Sequence, residues 1–292
     1  MLGPFTPVFF QRLQQLKIHT KRMFLGSRQG YHLSPRKGHG LEFSDFRAYA
    51  PGDDFRHIDW GVYARTDRLY VRQFREEQDL NVICIIDASA SMGCPPEEEK
   101  FSLAGQIALA LGYVALTDGD RVTFCLLGKT NSPHYQGVRS IGRAVHFLSG
   151  VKPSGTFEMS AEVRAAIAYQ KTPGRCFLIS DFLLPMEKIT QSLAMLREKN
   201  FEVSLIQILS PSELRLDTSI EASVLQDSET GESVELSLSD QSRVEYATML
   251  GDHLTNLESY CSRNGISQLL VSSADDLQDI VFSKLPAVGI LH

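Results

Sequence analysis

The chain has 292 residues, of which 43% are hydrophobic and 22% are charged, as is usual for a soluble globular protein. The formal net charge is −6, but residues 1–40 carry seven basic and no acidic residues, so the remainder carries −13. This basic segment lacks the interleaved aromatic residues of nucleic-acid binders, and no apolar run reaches the roughly 18 residues of a membrane span, so neither role is expected.

Residues 8–25 predict an amphipathic helix, because Phe9, Leu13, Leu16 and Met23 fall near one helical face with basic residues between them. We expect this face to pack on the protein's own domain. Peripheral contact with an acidic membrane surface is the alternative that the sequence leaves open.

Residues 26–60 are rich in Gly, Pro, Arg and Asp and contain the turn signals GHG and PGDD. Residues 68–76 alternate apolar and charged side chains, which predicts a half-exposed strand. We therefore expect residues 1–79 to form a basic helix followed by a β-rich segment that packs against the domain after it.

From residue 80 onwards, strands alternate with helices. The run NVICII has no polar alternation, as expected for a strand in a sheet that is covered on both faces. The predicted strands are 81–86, 120–127, 175–180, 201–209 and 266–272, and the predicted helices are 101–116, 140–149, 159–170, 186–199, 241–263 and 275–284. This alternation predicts an α/β domain over 80–292 with a doubly wound, mostly parallel sheet. Residues 223–238 predict an inserted β-hairpin that turns at Glu229-Thr230-Gly231.

The five cysteines are an odd number and show no paired spacing. Cys84, Cys125 and Cys176 lie inside apolar runs, where a cysteine behaves as a small buried hydrophobic residue. This pattern indicates a reducing compartment. Since no small-residue cleavage site follows the apolar N-terminal stretch, we expect a cytoplasmic protein.

Three polar clusters follow predicted strands or precede a predicted helix. Asp87, Ser89 and Ser91 follow the strand 81–86, Asp181 follows the strand 175–180, and Ser154-Gly155-Thr156 precedes the helix 159–170. Open α/β sheets bind ligands at the carboxyl ends of their strands, and carboxylate and hydroxyl oxygens suit Mg²⁺ or Mn²⁺. Taken singly, each residue is more often a helix cap or a turn residue.

This pattern resembles the metal-ion-dependent adhesion site of von Willebrand factor A domains, in which Asp-x-Ser-x-Ser, a later Thr and a later Asp hold a divalent ion. The resemblance implies that Ser89, Ser91 and Thr156 contact the ion and that Asp87 and Asp181 act mainly through water. With few carboxylates, the ion would still favour one acidic oxygen from a protein partner.

Residues 38–79, followed by the Asp87 motif, resemble the domain-of-unknown-function 58 family, in which an N-terminal segment precedes an A-type domain. The matching positions are Glu42, Phe43, Arg47, Tyr49, Gly52, Asp53, Asp54, Arg56, Ile58, Asp59, Trp60, Ala64 and Arg65, together with Glu229-Thr230-Gly231. The two transmembrane helices that many members carry ahead of this segment are missing here, which resembles the shorter soluble members. Members are commonly encoded beside MoxR-type AAA+ ATPases, so the resemblance implies such an ATPase, or its client, as the partner.

Other polar clusters give no convincing catalytic site. Asp53, Asp54, His57 and Asp59 favour a turn held by Asp–Arg pairs with Arg47, Arg56 and Arg65 over a buried Trp60 that acts as an anchor. His32 and His39 lack a phosphate-binding motif, and Ser89 lacks the Gly-x-Ser-x-Gly context of a nucleophile. We therefore expect a binding protein rather than an enzyme. A metal-dependent hydrolase of a phosphorylated or acyl substrate is the alternative.

Overall fold

The computed structural model describes residues 5–20, 42–75, 80–170, 172–214, 222–226, 233–237 and 240–292, and only the backbone at 42–45, 72–75, 222–226, 233–237 and 240. His32, His39, the turn at 229–231 and residues 21–25 of the predicted first helix lie outside this set. The chain forms two compact units, one of residues 80–292 together with the first residues of the chain, and a smaller one of residues 24–79.

The strands within the described residues are β1 (Glu42–Ala48), β2 (Tyr70–Arg75), β3 (Asn81–Asp87), β4 (Arg121–Leu127), β5 (Tyr135–Gln136), β6 (Gly174–Ser180), β7 (Glu202–Leu209), β8 (Ala222–Gln226), β9 (Ser233–Ser237) and β10 (Ser267–Ser272). The α-helices are α1 (Pro7–Leu13), α2 (Trp60–Thr66), α3 (Lys100–Thr117), α4 (Ile141–Ser149), α5 (Met159–Ala168), α6 (Met186–Glu198), α7 (Pro211–Leu214), α8 (Asp240–Arg263), α9 (Leu277–Asp279) and α10 (Leu285–Ala287), and a π-helical turn (Ile280–Lys284) joins the last two.

A six-stranded sheet in the order β10-β7-β6-β3-β4-β5 forms the centre of the larger unit. Its neighbouring strands are parallel except for β5, which pairs antiparallel with β4. This confirms the predicted α/β architecture with a mostly parallel sheet. The chain moves outward from β3 to β4 on one side and then from β6 to β7 and β10 on the other, so the order reverses between β3 and β6. β8 and β9 pair antiparallel, as the predicted hairpin requires.

Both faces of this sheet are covered by helices. Val82, Cys84 and Ile86 point into one apolar cluster, with α3 and α4, and the alternate residues Ile83 and Ile85 point into a second cluster, with α5, α6 and α8. Burial on both faces explains why the strand sequences lack polar alternation. Within the described residues, α3 with the turn before it (Pro96–Thr117) is long and apolar enough to cross a membrane, but 83% of that window is buried inside the protein.

The first helix is shorter than predicted and belongs to the larger unit. It ends at Leu13, and the main-chain N–H of Lys17 then donates to the His292 carbonyl oxygen at 2.8 Å. This main-chain pairing with the last residues of the chain excludes a helix through 17–20, so the predicted helix over 8–25 is wrong there. Phe9 packs edge-to-face on Phe282, with 5.3 Å between ring centroids. The predicted segment 1–79 therefore divides between the two units.

In the smaller unit, β1 and β2 pair antiparallel, and a turn with two Asp–Arg ion pairs lies between them. Arg47 Nη2 lies 2.8 Å from Asp53 Oδ1, and Arg56 Nη2 lies 2.7 Å from Asp54 Oδ2. These pairs agree with the predicted turn, while the Arg65 guanidinium donates to the Gly61 carbonyl oxygen.

The prediction that Trp60 is buried is wrong, because its side chain is 59% exposed. Trp60 is the first residue of the two-turn helix α2, which is capped by the Asp59 carboxylate. Its ring contacts Tyr63 edge-to-face at a centroid distance of 6.1 Å, and Tyr63 is itself exposed. A helix this short on a two-stranded sheet leaves little apolar volume to enclose an indole ring.

Candidate metal centre

The candidate site lies where the strand order of the sheet reverses. Asp87 is the last residue of β3 and Asp181 directly follows β6, and these two parallel strands are direct neighbours. The connections that leave them run to opposite sides, and this is the position at which open α/β sheets generally bind ligands. Both aspartates are 2% exposed. The topology thus brings together two carboxylates that are 94 positions apart in the sequence.

The Asp87 carboxylate is fixed by donors on either side. Its Oδ1 accepts a hydrogen bond from the Ser89 main-chain N–H at 2.9 Å, and its Oδ2 accepts from the Ser180 hydroxyl at 2.6 Å. The Ser180 oxygen in turn accepts from the Phe182 main-chain N–H at 3.1 Å. Asp87 therefore closes the turn after β3 rather than capping a helix.

Ser89 and Ser91 present their hydroxyl groups to each other. Their Oγ atoms are 2.9 Å apart, and Ser89 makes no side-chain capping bond to the short 3-10 helix Ala90–Gly93 that follows it. The cap alternative therefore does not describe the Ser89 hydroxyl. Ser89 is buried and Ser91 is half-buried, so this pair lies between the buried carboxylates and the surface.

The loop that contains Thr156 is tied to the loop that contains the serines. The Ser154 N–H donates to the Ala88 carbonyl oxygen at 2.9 Å, and the Ala90 N–H donates to the Gly155 carbonyl oxygen at 3.0 Å. Gly155 has a φ of +78°, which favours glycine at this point of the turn. Thr156 itself is exposed at the rim. The loop of Thr156 is therefore bonded to the loop of Ser89 and Ser91, while the position of Thr156 as a cation ligand stays a prediction.

Asp181 is surrounded by groups that the sequence did not indicate. Its Oδ2 lies 3.3 Å from the Lys100 ammonium nitrogen, and its main-chain carbonyl oxygen accepts from the Gln207 side chain at 2.8 Å. Lys100 also lies 2.5 Å from Glu213 Oε1. Lys100 belongs to an acidic, charged run that is typical of a solvated surface, and no spacing in the sequence relates it to Glu213.

The two aspartates of the site are buried carboxyl groups that interact with each other. Burial raises the pKa of Asp87, and the nearby charge of Asp181 raises it further, against the hydrogen bonds from Ser180 and Ser89 that lower it. The Gln207 Oε1 atom is buried and has no hydrogen-bond partner among the described residues. A positive charge would offset the repulsion between the two carboxylates.

The donor set fits a hard divalent cation. Carboxylate and hydroxyl oxygens suit Mg²⁺ or Mn²⁺, whereas zinc sites are built mainly from cysteine and histidine. Across the part of the chain that the structure describes, no three His, Cys, Asp or Glu side chains are grouped as metal ligands. A metal at this site would therefore depend on the serine hydroxyls as much as on the aspartates.

Comparisons with known proteins give a family and distant structural likenesses. The family model described as "Protein of unknown function DUF58" matches residues 45–256. Uncharacterized protein Rv1480 of Mycobacterium tuberculosis is 28% identical over 290 residues, covering 94% of this chain and 88% of that protein. BatB from Bacteroides thetaiotaomicron is 14% identical with a TM-score of 0.42, covering 72% of this chain and 98% of that chain. The vWF domain of the type V pili tip protein Mfa5 from Porphyromonas gingivalis is 18% identical with a TM-score of 0.27, covering 35% of this chain and 38% of that chain.

Proposed function

The chain belongs to the DUF58 family. We propose that it is a protein-interaction module whose A-type domain binds a partner through a divalent cation. The proposed holders of the cation are Asp87, Ser89, Ser91, Thr156 and Asp181. One observation carries the proposal: two buried carboxylates and a pair of facing serine hydroxyls meet where the strand order reverses.

The residues of the proposed site would hold a cation in different ways. The Ser180 hydroxyl and the Ser89 N–H fix the Asp87 carboxylate, so its orientation is set before a cation arrives. The facing hydroxyls of Ser89 and Ser91 are neutral ligands. When bound, Mg²⁺ or Mn²⁺ supplies a coordination position that a carboxylate oxygen of a partner can fill.

The charge balance favours an acidic partner. Two carboxylates at most neutralise a divalent cation, and the Lys100 ammonium already takes part of the charge of Asp181. At the rim, the exposed Lys129 donates to the Ser154 hydroxyl at 2.6 Å, which adds a positive charge next to the opening. An Asp or Glu side chain of a MoxR-type AAA+ ATPase, or of its client, is the partner group we propose.

We propose binding without catalysis at this site. His253 of α8 contacts the Asp181 loop, and its Nε2–H donates to the Phe182 carbonyl oxygen at 2.8 Å. That bond holds the ring against the main chain, and both aspartates accept hydrogen bonds from fixed donors. Turnover of a phosphoester panel by the wild-type chain, lost in Asp181→Ala, would instead support the hydrolase alternative.

The test is the metal dependence of partner binding. The purified chain is immobilised, and binding of the MoxR-type ATPase encoded in the same genome is measured in Mg²⁺ and in EDTA. We expect binding in Mg²⁺, loss of binding in EDTA, and weak binding by the Ser89→Ala/Ser91→Ala variant. Ser262→Ala is the matched control, because Ser262 is exposed near the end of α8, before β10. Equal binding of the wild-type chain in Mg²⁺ and in EDTA would refute the proposal.

A further inference from the structure

Lys100 is a buried cation at the edge of the candidate site. It is the first residue of α3 and is 1% exposed. Its ammonium nitrogen lies 2.5 Å from Glu213 Oε1 and 3.3 Å from Asp181 Oδ2. A buried ammonium ion must be paired, because the desolvation of an unpaired charge is very costly. Here one ammonium ion is shared by two carboxylates, and the closer one is not part of the proposed cation site.

Further hydrogen bonds hold Glu213 and its short helix in place. Its Oε2 atom accepts from the Ser210 N–H at 2.7 Å, and the hydroxyl of Ser212 donates to Glu98 Oε2 at 3.0 Å. The Tyr246 hydroxyl of α8 donates to the Glu213 carbonyl oxygen at 3.1 Å. The α7 helix is thereby attached to the residues just before α3, and the position of the Glu213 carboxylate is defined on both sides.

We propose that Lys100 and Glu213 set the cation affinity of the site. Lys100 competes with the cation for the Asp181 carboxylate, and Glu213 weakens this competition by pairing with the Lys100 ammonium group. This inference rests on the proposed function. An ammonium ion beside Asp181 repels a divalent cation and competes for the same oxygen. Because Lys100 lies nearer to Glu213, Asp181 keeps much of its negative charge for the cation. A displacement of α7 that withdrew Glu213 would leave Lys100 to Asp181 alone and weaken cation binding.

The two residues therefore have opposite predicted effects, which distinguishes this role from a merely structural one. Loss of positive charge in Lys100→Met should tighten Mg²⁺ binding, while Glu213→Gln should weaken it, each on the order of tenfold for a charge a few ångströms from the site. In the double variant, the weakening by Glu213→Gln should shrink, because no ammonium ion remains to be released toward Asp181.

The experiment is a calorimetric titration of the full chain with MgCl₂, repeated with MnCl₂ while free Mn²⁺ is followed by electron paramagnetic resonance. Lys199→Met and Glu198→Gln are charge-matched controls, because both residues are exposed at the far end of α6 and should leave the affinity unchanged. Circular dichroism checks that each variant is folded. If Lys100→Met does not fold, the near-isosteric Glu213→Gln variant alone decides.

The outcomes separate this inference from the proposed function. If the wild-type chain binds neither cation, both are overturned. If it binds a cation and Lys100→Met fails to tighten binding, or Glu213→Gln fails to weaken it, the inference falls and the metal site stands. Tighter binding by the first variant together with weaker binding by the second supports the inference.

Discussion

The two ends of β6 each bury a cation among polar side chains, but the balance of charge differs between them. At the amino end, Arg175 Nη1 lies 2.6 Å from Glu202 Oε1, and its Nη2 donates to the Ser204 hydroxyl at 2.9 Å. One guanidinium meets one carboxylate on the neighbouring strand, in direct register. At the carboxyl end, Lys100 is shared by Asp181 and Glu213, with no second ammonium ion paired to them among the described residues, and Asp87 lies close enough to Asp181 for their charges to interact.

We interpret this difference as a division between an end of the sheet that stabilises the fold and an end that holds the cation site proposed above. A balanced ion pair between adjacent strands fixes their register and leaves no uncompensated charge that could bind a ligand. An excess of buried carboxyl groups costs stability, and groups of this kind cluster at functional sites. The contrast between the two ends is open to mutational tests.

The largest expected effect is at the amino end, where removal of one partner leaves a buried charge unpaired. Arg175→Met should lower the free energy of unfolding by about 3–5 kcal/mol, because Glu202 is only 8% exposed and would lose its counter-charge. Urea titration followed by circular dichroism measures this. Arg164→Met, on the exposed face of α5, is the control and should have little effect. A loss below about 1 kcal/mol, the range of exposed pairs, would contradict the structural role assigned to this end.

At the carboxyl end, removal of a charge should have the opposite consequence for the metal-free protein. Asp87→Asn keeps the side-chain volume but abolishes the repulsion with Asp181, so in EDTA the variant should unfold at or above the wild-type temperature. At a hundredfold excess of Mg²⁺ over the dissociation constant, the wild-type chain should gain about 2.7 kcal/mol and the variant nothing.

Differential scanning calorimetry in EDTA and in Mg²⁺ measures both effects of Asp87→Asn. Asp252→Asn, an exposed position on α8, is the control that should keep the full response to Mg²⁺. A clear loss of stability in EDTA would mean that Asp87 serves the fold, and the contrast between the two ends of the sheet would disappear.

A smaller effect is expected at Ser180, which links the two aspartate loops. Ser180→Ala removes the donor to Asp87 and the acceptor for the Phe182 N–H, so the unfolding free energy should fall by about 1–2 kcal/mol. Mg²⁺ binding should also weaken, because the Asp87 carboxylate loses its fixed orientation. Ser192→Ala removes a buried hydroxyl that bonds within its own helix and should leave Mg²⁺ binding unchanged. Equal effects of the two substitutions on Mg²⁺ binding would argue against a positioning role for Ser180.

The sequence predicted the sheet and the meeting of the aspartates for a simple physical reason. Unalternating apolar runs such as 81–86 require burial on both faces, and the carboxyl ends of neighbouring parallel strands lie at the same edge. The neighbours of the aspartates were not predictable in this way. Lys100 and Glu213 acquire their roles from the placement of α3 and α7, and Ser180 acquires its role from the register between β6 and β3, none of which periodicity encodes.

Two other errors concern how an element packs, which local sequence patterns do not determine. The apolar periodicity of residues 8–25 continues past Leu13, but main-chain hydrogen bonds to the last residues of the chain take over at Lys17. Trp60 was expected to pack as an anchor beneath the turn of Asp–Arg pairs, but its side chain is 59% exposed. Local patterns predicted the type of each element better than its limits or its neighbours.

The smallest expected effect on stability concerns the ion pair of Asp54 and Arg56 in the smaller unit. This pair serves as a reference for the buried pair of Arg175 and Glu202. The hydrogen bond from the Arg56 side chain, aided by the Arg56 main-chain N–H, lowers the pKa of Asp54 from 3.8 to about 2. A carboxyl group whose pKa is lower in the folded state contributes stability above pH 3.8, and this contribution is lost as the pH falls through about 2.

Carbon-detected NMR should show Asp54 titrating near pH 2, and in Arg56→Gln its pKa should rise toward 3.8. Because the Arg56 side chain is exposed to solvent, the substitution should barely change stability at neutral pH, unlike Arg175→Met. An Asp54 pKa that stays near 2 in Arg56→Gln would mean that the turn backbone, rather than the arginine, holds the charge.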